Sequence, residues 1–212
     1  VMFPKNVKTT LLCGPKDLSK SFMFEAATYW AEEGQRVVYI TPTPLEKRPA
    51  ACHDRRNPSV TALKLMRFIY LSDYEVLVEQ LFKLHTYAAV PSVLLIDDLD
   101  DYLLSDETPG DDNSRSRIAR ICALILHSMK SCSRILKKNV HVCIWTSSSL
   151  INNFIQTIYF RNVWNLTEKE NGKVILVERC SIRSSLERSY IYYKFQDGMR
   201  VLQQILGDSM EV

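Results

Sequence analysis

The sequence predicts an α/β fold: a mostly parallel sheet with helices on both faces and antiparallel hairpins at its C-terminal end. Two observations predict it. Short apolar runs alternate with amphipathic helical segments through Thr146, as they do where crossover helices join parallel strands. Beyond that point Asn171–Gly172 and Asp197–Gly198 each separate two β-rich runs, the strongest short-range hairpin signal.

The first element is an apolar strand, VKTTLLCG, over 7–14. A helix over 20–33 follows, with Met23, Ala26, Ala27 and Trp30 on one face and Gly34 as its stop. RVVYIT (36–41) is a second strand, and Pro42, Pro44, Pro49 and Pro58 keep the next stretch irregular. LKLMRFIYL (63–71) reads as a third strand. The helix after it has Ser72 at the N-cap, Glu75 at capping-box spacing, and a buried stripe of Tyr74, Leu77, Val78, Leu81 and Phe82. SVLLIDDL (92–99) is a core strand ending in acids. After the acidic, turn-rich and mobile 105–114 comes a long helix burying Ile118, Ile121, Cys122, Ile125 and Met129, then the strand VHVCIWT (140–146).

The 212 residues suit one domain over 1–212. At 24% charged residues the chain is globular, and a net charge of +3 is too small to mark a nucleic-acid binder, so basic surface must come from local clusters. Cys13, Cys52, Cys122, Cys132, Cys143 and Cys180 form no C-x-x-C pair and no metal spacing, which points to a reducing, intracellular setting. No apolar run approaches the roughly 18 residues of a membrane span, so no membrane partner is expected.

Chemistry concentrates at two strand ends. Gly14, Lys20 and Ser21 stand at the spacing of the phosphate loop G-x-x-x-x-G-K-[ST], with Ser19 in the place of the second glycine. Lys20 is expected to meet the β/γ-phosphates of ATP, and Ser21 with Asp97 to hold magnesium, Asp98 being the second acid. Ser19 at a positive φ would add about 1–2 kcal/mol of strain. Pro15 removes one N–H early in the loop. The loop is degraded but recognisable.

The order of phosphate loop, VVYITPTPLEKRP, LKLMRFIYL, VLLIDDLDDYL, long helix, VCIWTSSS and C-terminal hairpins resembles a RecA-type recombinase ATPase core over essentially the whole chain. More closely, it resembles the RecA-like paralogue that partners the zinc-binding SWIM-domain protein of the animal Shu complex. The resemblance implies a RecA-like P-loop fold and a nuclear accessory role in homologous recombination. It also implies a weak or degenerate ATPase with ATP and Mg, single-stranded DNA binding, a heteromer with the SWIM-domain protein, and support of recombinase filaments alongside the recombinase and its paralogues. Gly14, Lys20, Ser21 and Asp97 match the nucleotide motifs, and Thr146 and Ser147 match the strand end that senses the γ-phosphate.

Departures set a rival expectation. The water-activating glutamate of active recombinases has no counterpart between Thr41 and Glu46, and losing a positioned base lowers a rate by roughly 10²–10⁴. A pseudo-ATPase acting only as an interaction module is therefore the alternative. The segment after WTSSS, where such cores carry a DNA-contacting loop, is short and apolar. Phe24-Glu25-Ala26-Ala27 fits the F-x-x-A docking pattern but reads as core. Basic residues gather at Lys47, Arg48, Arg55 and Arg56, at Arg134, Lys137 and Lys138, and at Arg179, Arg183 and Arg188. No aromatic alternates with them to build a stacking platform. Arg55 and Arg56 follow a strand at the ligand-facing edge and are the first candidates for nucleic-acid contact. Tyr190 to Phe195 could leave aromatics outside the core, where a partner would cover them.

Overall fold

The computed structural model describes residues 5–50, 57–103, 112–147, 153–179 and 188–206. Arg55, Arg56, Arg183 and most of the acidic 105–114 segment lie outside the described residues.

In chain order the elements are β1 (Val7–Cys13), α1 (Lys16–Glu32), β2 (Val37–Thr41), α2 (Val60–Leu65), β3 (Met66–Tyr70), α3 (Tyr74–Lys83), β4 (Val93–Ile96), α4 (Leu99–Leu103) and α5 (Asp112–Leu136). Then come β5 (Val140–Thr146), α6 (Asn153–Tyr159), β6 (Asn162–Glu168), β7 (Lys173–Glu178), β8 (Ser189–Lys194) and β9 (Arg200–Leu206). They build one nine-stranded sheet in the order β3-β2-β4-β5-β1-β6-β7-β8-β9. Pairing is parallel from β3 to β6 and antiparallel from β6 to β9, as the sequence predicts.

Two apolar layers hold the sheet between helices. One, against α3 and α5, buries Val38, Ile40, Leu94, Ile96, Leu77, Leu81, Ile121 and Ile125. The other, against α1, buries Leu18, Met23, Ala27, Tyr39, Leu95 and Trp145. The central strands β2 and β4 are buried at every position, which is why they read as continuous apolar runs rather than as alternation.

Several elements depart from expectation. Residues 63–65 belong to a helix, α2, capped by the Ser59 hydroxyl, which accepts from Ala62 N at 3.1 Å. The N-cap of α3 is Asp73, accepting from Val76 N at 2.9 Å, and Ser72 merely donates to it. Phe82 is 58% exposed, so the buried stripe runs through Leu77 and Leu81 and passes to Leu84. In β8 a bulge between Ile191 and Tyr192 breaks strict alternation. Ile191 is buried, and Tyr192 packs edge-on against Phe22 with ring centroids 6.0 Å apart. Phe24 and Ala27 are buried and Phe24 stacks on Phe68, which makes the F-x-x-A match part of the core.

Candidate functional site

The carboxyl ends of β1, β2, β4 and β5 bring together the residues singled out by sequence. Ligands of open α/β sheets bind at this edge. The largest difference from expectation is at the start of α1. Helix begins at Lys16, four residues earlier than the sequence suggests, so the connection after β1 is Gly14 and Pro15 alone. Local chemistry explains the early start. Pro15 has the extended dihedrals of a helix entry, Asp17 lies in the first turn where the helix dipole favours an acid, and Leu18 is buried and anchors that turn to the core. Leu18 alone contributes about 1.5–3 kcal/mol by burial.

Three corrections follow. Ser19 is helical and has no positive φ; among the described residues only Asp98 and Lys137 do so without being glycine. The Ser19 side chain is fully buried, and its hydroxyl lies beside Asp97 and Asp98 and lowers the pKa of both. Gly14 is held by a close approach: a Cβ there would stand 2.8 Å from Cβ of Leu166 in β6.

Lys20 and Ser21 do face a cleft of about 620 Å³, shared with Thr43, Glu46, Lys47 and Lys194. The Ser21 hydroxyl is engaged, however, because it accepts a hydrogen bond from Nη1 of Arg200, the first residue of β9. Arg200 is fully buried; its Nη2 donates to Glu25 at 2.7 Å and its guanidinium lies 3.8 Å from the centre of the Phe22 ring. A divalent cation bound to Ser21 would lie beside that guanidinium and be repelled by it, Glu25 offsetting part of the repulsion, and the hydroxyl lone pair is already engaged.

Asp97 directly follows β4, with Oδ2 accepting from Tyr39 Oη at 3.1 Å and Thr41 Oγ1 at 3.4 Å, while Oδ1 is buried with no partner at ordinary hydrogen-bond geometry. Desolvation raises its pKa, opposed first by the neighbouring Ser19 hydroxyl and then by the Tyr39 hydroxyl, the charge of Lys20 and the Thr41 hydroxyl. Asp98 takes a left-handed φ of 46°. Burial, and then the charge of Asp97, push its pKa up to about 7, although Lys16 Nζ lies 3.9 Å from Oδ2. Lys16 also binds both carboxylate oxygens of Asp101 at 2.6 Å. At the end of β5 the Thr146 hydroxyl donates to Asp100 Oδ1 at 2.7 Å, and Ser147 N donates to Asp100 Oδ2. Lys16, Asp100 and Arg200 thus complete the site and were missed by motif reading.

These residues do not fit magnesium-bound ATP in this conformation. The segment that would wrap phosphate is helix, the Ser21 hydroxyl is held by a cation, and the polar end of β5 is satisfied by Asp100. What remains open is a cleft edged by Lys20 and Lys47.

The sheet order and its flanking helices define a RecA-like fold. Over 93% of this chain and 91% of the other, it superposes on the RadB recombinase with a TM-score of 0.62 at 15% identity. A KaiC-like protein of Pyrococcus horikoshii matches with a TM-score of 0.57 at 17% identity over 95% and 91% of the two chains. In sequence, the chain is similar to the mouse protein ATPase SWSAP1, 33% identical over 118 residues. That match covers 55% of this chain and 40% of the mouse protein, so it spans less than half the length of the relative. No family model matches. Among the described residues no helix is long and apolar enough to cross a membrane.

Proposed function

We propose that this chain is a RecA-like accessory factor of homologous recombination whose working product is a protein complex rather than ATP turnover. The observation that carries the reading is the closed phosphate segment, helical from Lys16 with Arg200 on Ser21. The sequence similarity to a mouse ATPase and the likeness to a recombinase fold support a place in recombination. The family resemblance supplies the SWIM-domain zinc-binding protein as partner, the recombinase and its paralogues as the machinery served, single-stranded DNA as the nucleic acid bound, and the nucleus as the site of action. Arg55 and Arg56 are the first residues to test for DNA contact.

A second reading, a slow ATPase stimulated by single-stranded DNA, is favoured by Lys20 facing the cleft and by Oδ1 of Asp97, buried with no partner at ordinary hydrogen-bond geometry. In it ATP and Mg would be held by Gly14, Ser19, Lys20, Ser21, Asp97 and Thr146 after the first turn of α1 opens.

Thermal denaturation with Mg-ATP separates the two. A ligand at a hundred times its Kd adds about 2.7 kcal/mol, or roughly 5–10 °C for a chain of this size. The module reading expects no shift that depends on Lys20. It also expects equal co-purification of wild type and Lys20→Ala with the SWIM-domain protein. A shift of several degrees that Lys20→Ala abolishes would overturn it in favour of the ATPase.

A further inference from the structure

The turn between β8 and β9 carries a two-pronged contact that the nucleotide motifs do not predict. Lys194 and Arg200 are directly opposed cross-strand partners. Two cations in that position repel, unless each has its own acid. Each does, and the acids are on α1: Lys194 reaches Asp17 at 3.1 Å, with Glu168 beside it at 2.8 Å, and Arg200 reaches Glu25 at 2.7 Å. Between them Arg200 donates to Ser21. Asp17, Ser21 and Glu25 are spaced four apart and form one stripe of the helix.

We propose that the β8–β9 hairpin is a clasp on α1, with Arg200 as its main prong, that decides whether residues 15–21 can open around a polyphosphate. The inference rests on reading the strand-end cleft as a closed nucleotide site. Engaged, the clasp holds the first turns of α1 as helix against the sheet and keeps the Ser21 hydroxyl occupied by a guanidinium. Disengaged, it returns the Ser21 hydroxyl to the cleft and frees the turn containing Lys16 to Ser19. Arg200 reaches neither solvent nor the cleft directly, so its charge serves the contact with α1 rather than a ligand. Whatever draws the hairpin away from α1 would therefore license nucleotide entry.

The test compares wild type with Arg200→Met, which keeps packing on Phe22 but removes the charge and both hydrogen bonds. Amide hydrogen exchange over residues 15–21 and calorimetric titration with Mg-ATP are the two readouts. The clasp predicts at least tenfold faster exchange in that segment and at least tenfold tighter Mg-ATP binding, the gain being lost when Lys20→Ala is added. Unchanged exchange in a folded Arg200→Met overturns the clasp, as does faster exchange without any gain in Mg-ATP affinity. Tight, Lys20-dependent Mg-ATP binding by the wild type would instead overturn the module reading, leaving the ratio between the two proteins to judge the clasp. Should Arg200→Met fail to fold, Glu25→Gln removes half of the Arg200 prong and Lys194→Gln removes the charge of the other. They are expected to speed exchange several-fold, and wild-type rates in both would sink the proposal.

Discussion

Substituting Ser19 by alanine and by glycine tests the closed helix through the sign of a difference. Both changes delete the same buried hydroxyl, so that contribution cancels between them. In a helix interior alanine is favoured over glycine by about 1 kcal/mol. For this chain length that is roughly 2–4 °C in Tm. If residues 14–21 instead wrapped phosphate with position 19 at positive φ, glycine would be favoured by about 1–2 kcal/mol. The two conformations therefore predict opposite orders, separated by some 2–3 kcal/mol. Calorimetric or fluorescence melts of the three proteins without nucleotide decide it. The expected order is Ser19→Ala above Ser19→Gly. A glycine variant more stable than the alanine variant would refute the helical start of α1 and everything built on it.

Gly14→Ala should destabilise by about 1–3 kcal/mol, since its Cβ would press on Leu166 at 2.8 Å; an unchanged denaturation midpoint would show that β1 and β6 yield there. Asp98→Asn should stabilise the fold at neutral pH, and asparagine tolerates the left-handed φ. The folded state of wild type holds the Asp98 proton up to about pH 7 while the unfolded chain releases it near 3.8. Wild-type stability therefore falls as pH rises between those values, by on the order of 4 kcal/mol for a shift of about three units. The variant's advantage should be complete above pH 7 and vanish below pH 4; a constant gap would refute the assignment. Single-stranded DNA affinity should fall steeply with salt, and reversing Arg55 and Arg56 together should lower the salt slope by about 2. An unchanged slope would move the contact to the cluster of Arg134, Lys137 and Lys138 or to that of Arg179, Arg183 and Arg188.

How much was legible depends on where the determining contacts lie in sequence. The strand over 140–146, the buried stripe of α5 and both hairpins were legible because period, burial and Asn-Gly or Asp-Gly turns are local signals. The start of α1 was not, because two local signals compete over the same residues. The G-x5-K-S spacing suggests a loop, whereas Pro15, Asp17 and an apolar Leu18 are good material for a helix start, and burial of Leu18 decides between them. The N-cap of α3 shows the same ambiguity between adjacent cap residues Ser72 and Asp73. Arg200 had no local signal at all. A basic residue beginning a hairpin strand reads as surface, and its partners Ser21 and Glu25 lie 179 and 175 positions away. The strand-end acids were legible as a group, but their partners were not, since Lys16 and Thr146 meet Asp101 and Asp100 only through the fold.

The position of β1 in the sheet also has a consequence for how the protein is made. It is made before the other eight strands described, yet both of its neighbours are distant: Val7 pairs with Val140 of β5, and Thr10 with Asn162 of β6. At about 5–20 residues per second, roughly 7–25 s of translation separate β1 from its first partner. During that interval β2, β3 and β4 can pair among themselves, and the central slot of the sheet stands empty with an apolar strand unprotected on both edges. Nascent chains that stop before β5 therefore expose a template for aggregation. Demand for a holdase during synthesis should rise with any slowing of translation across α5.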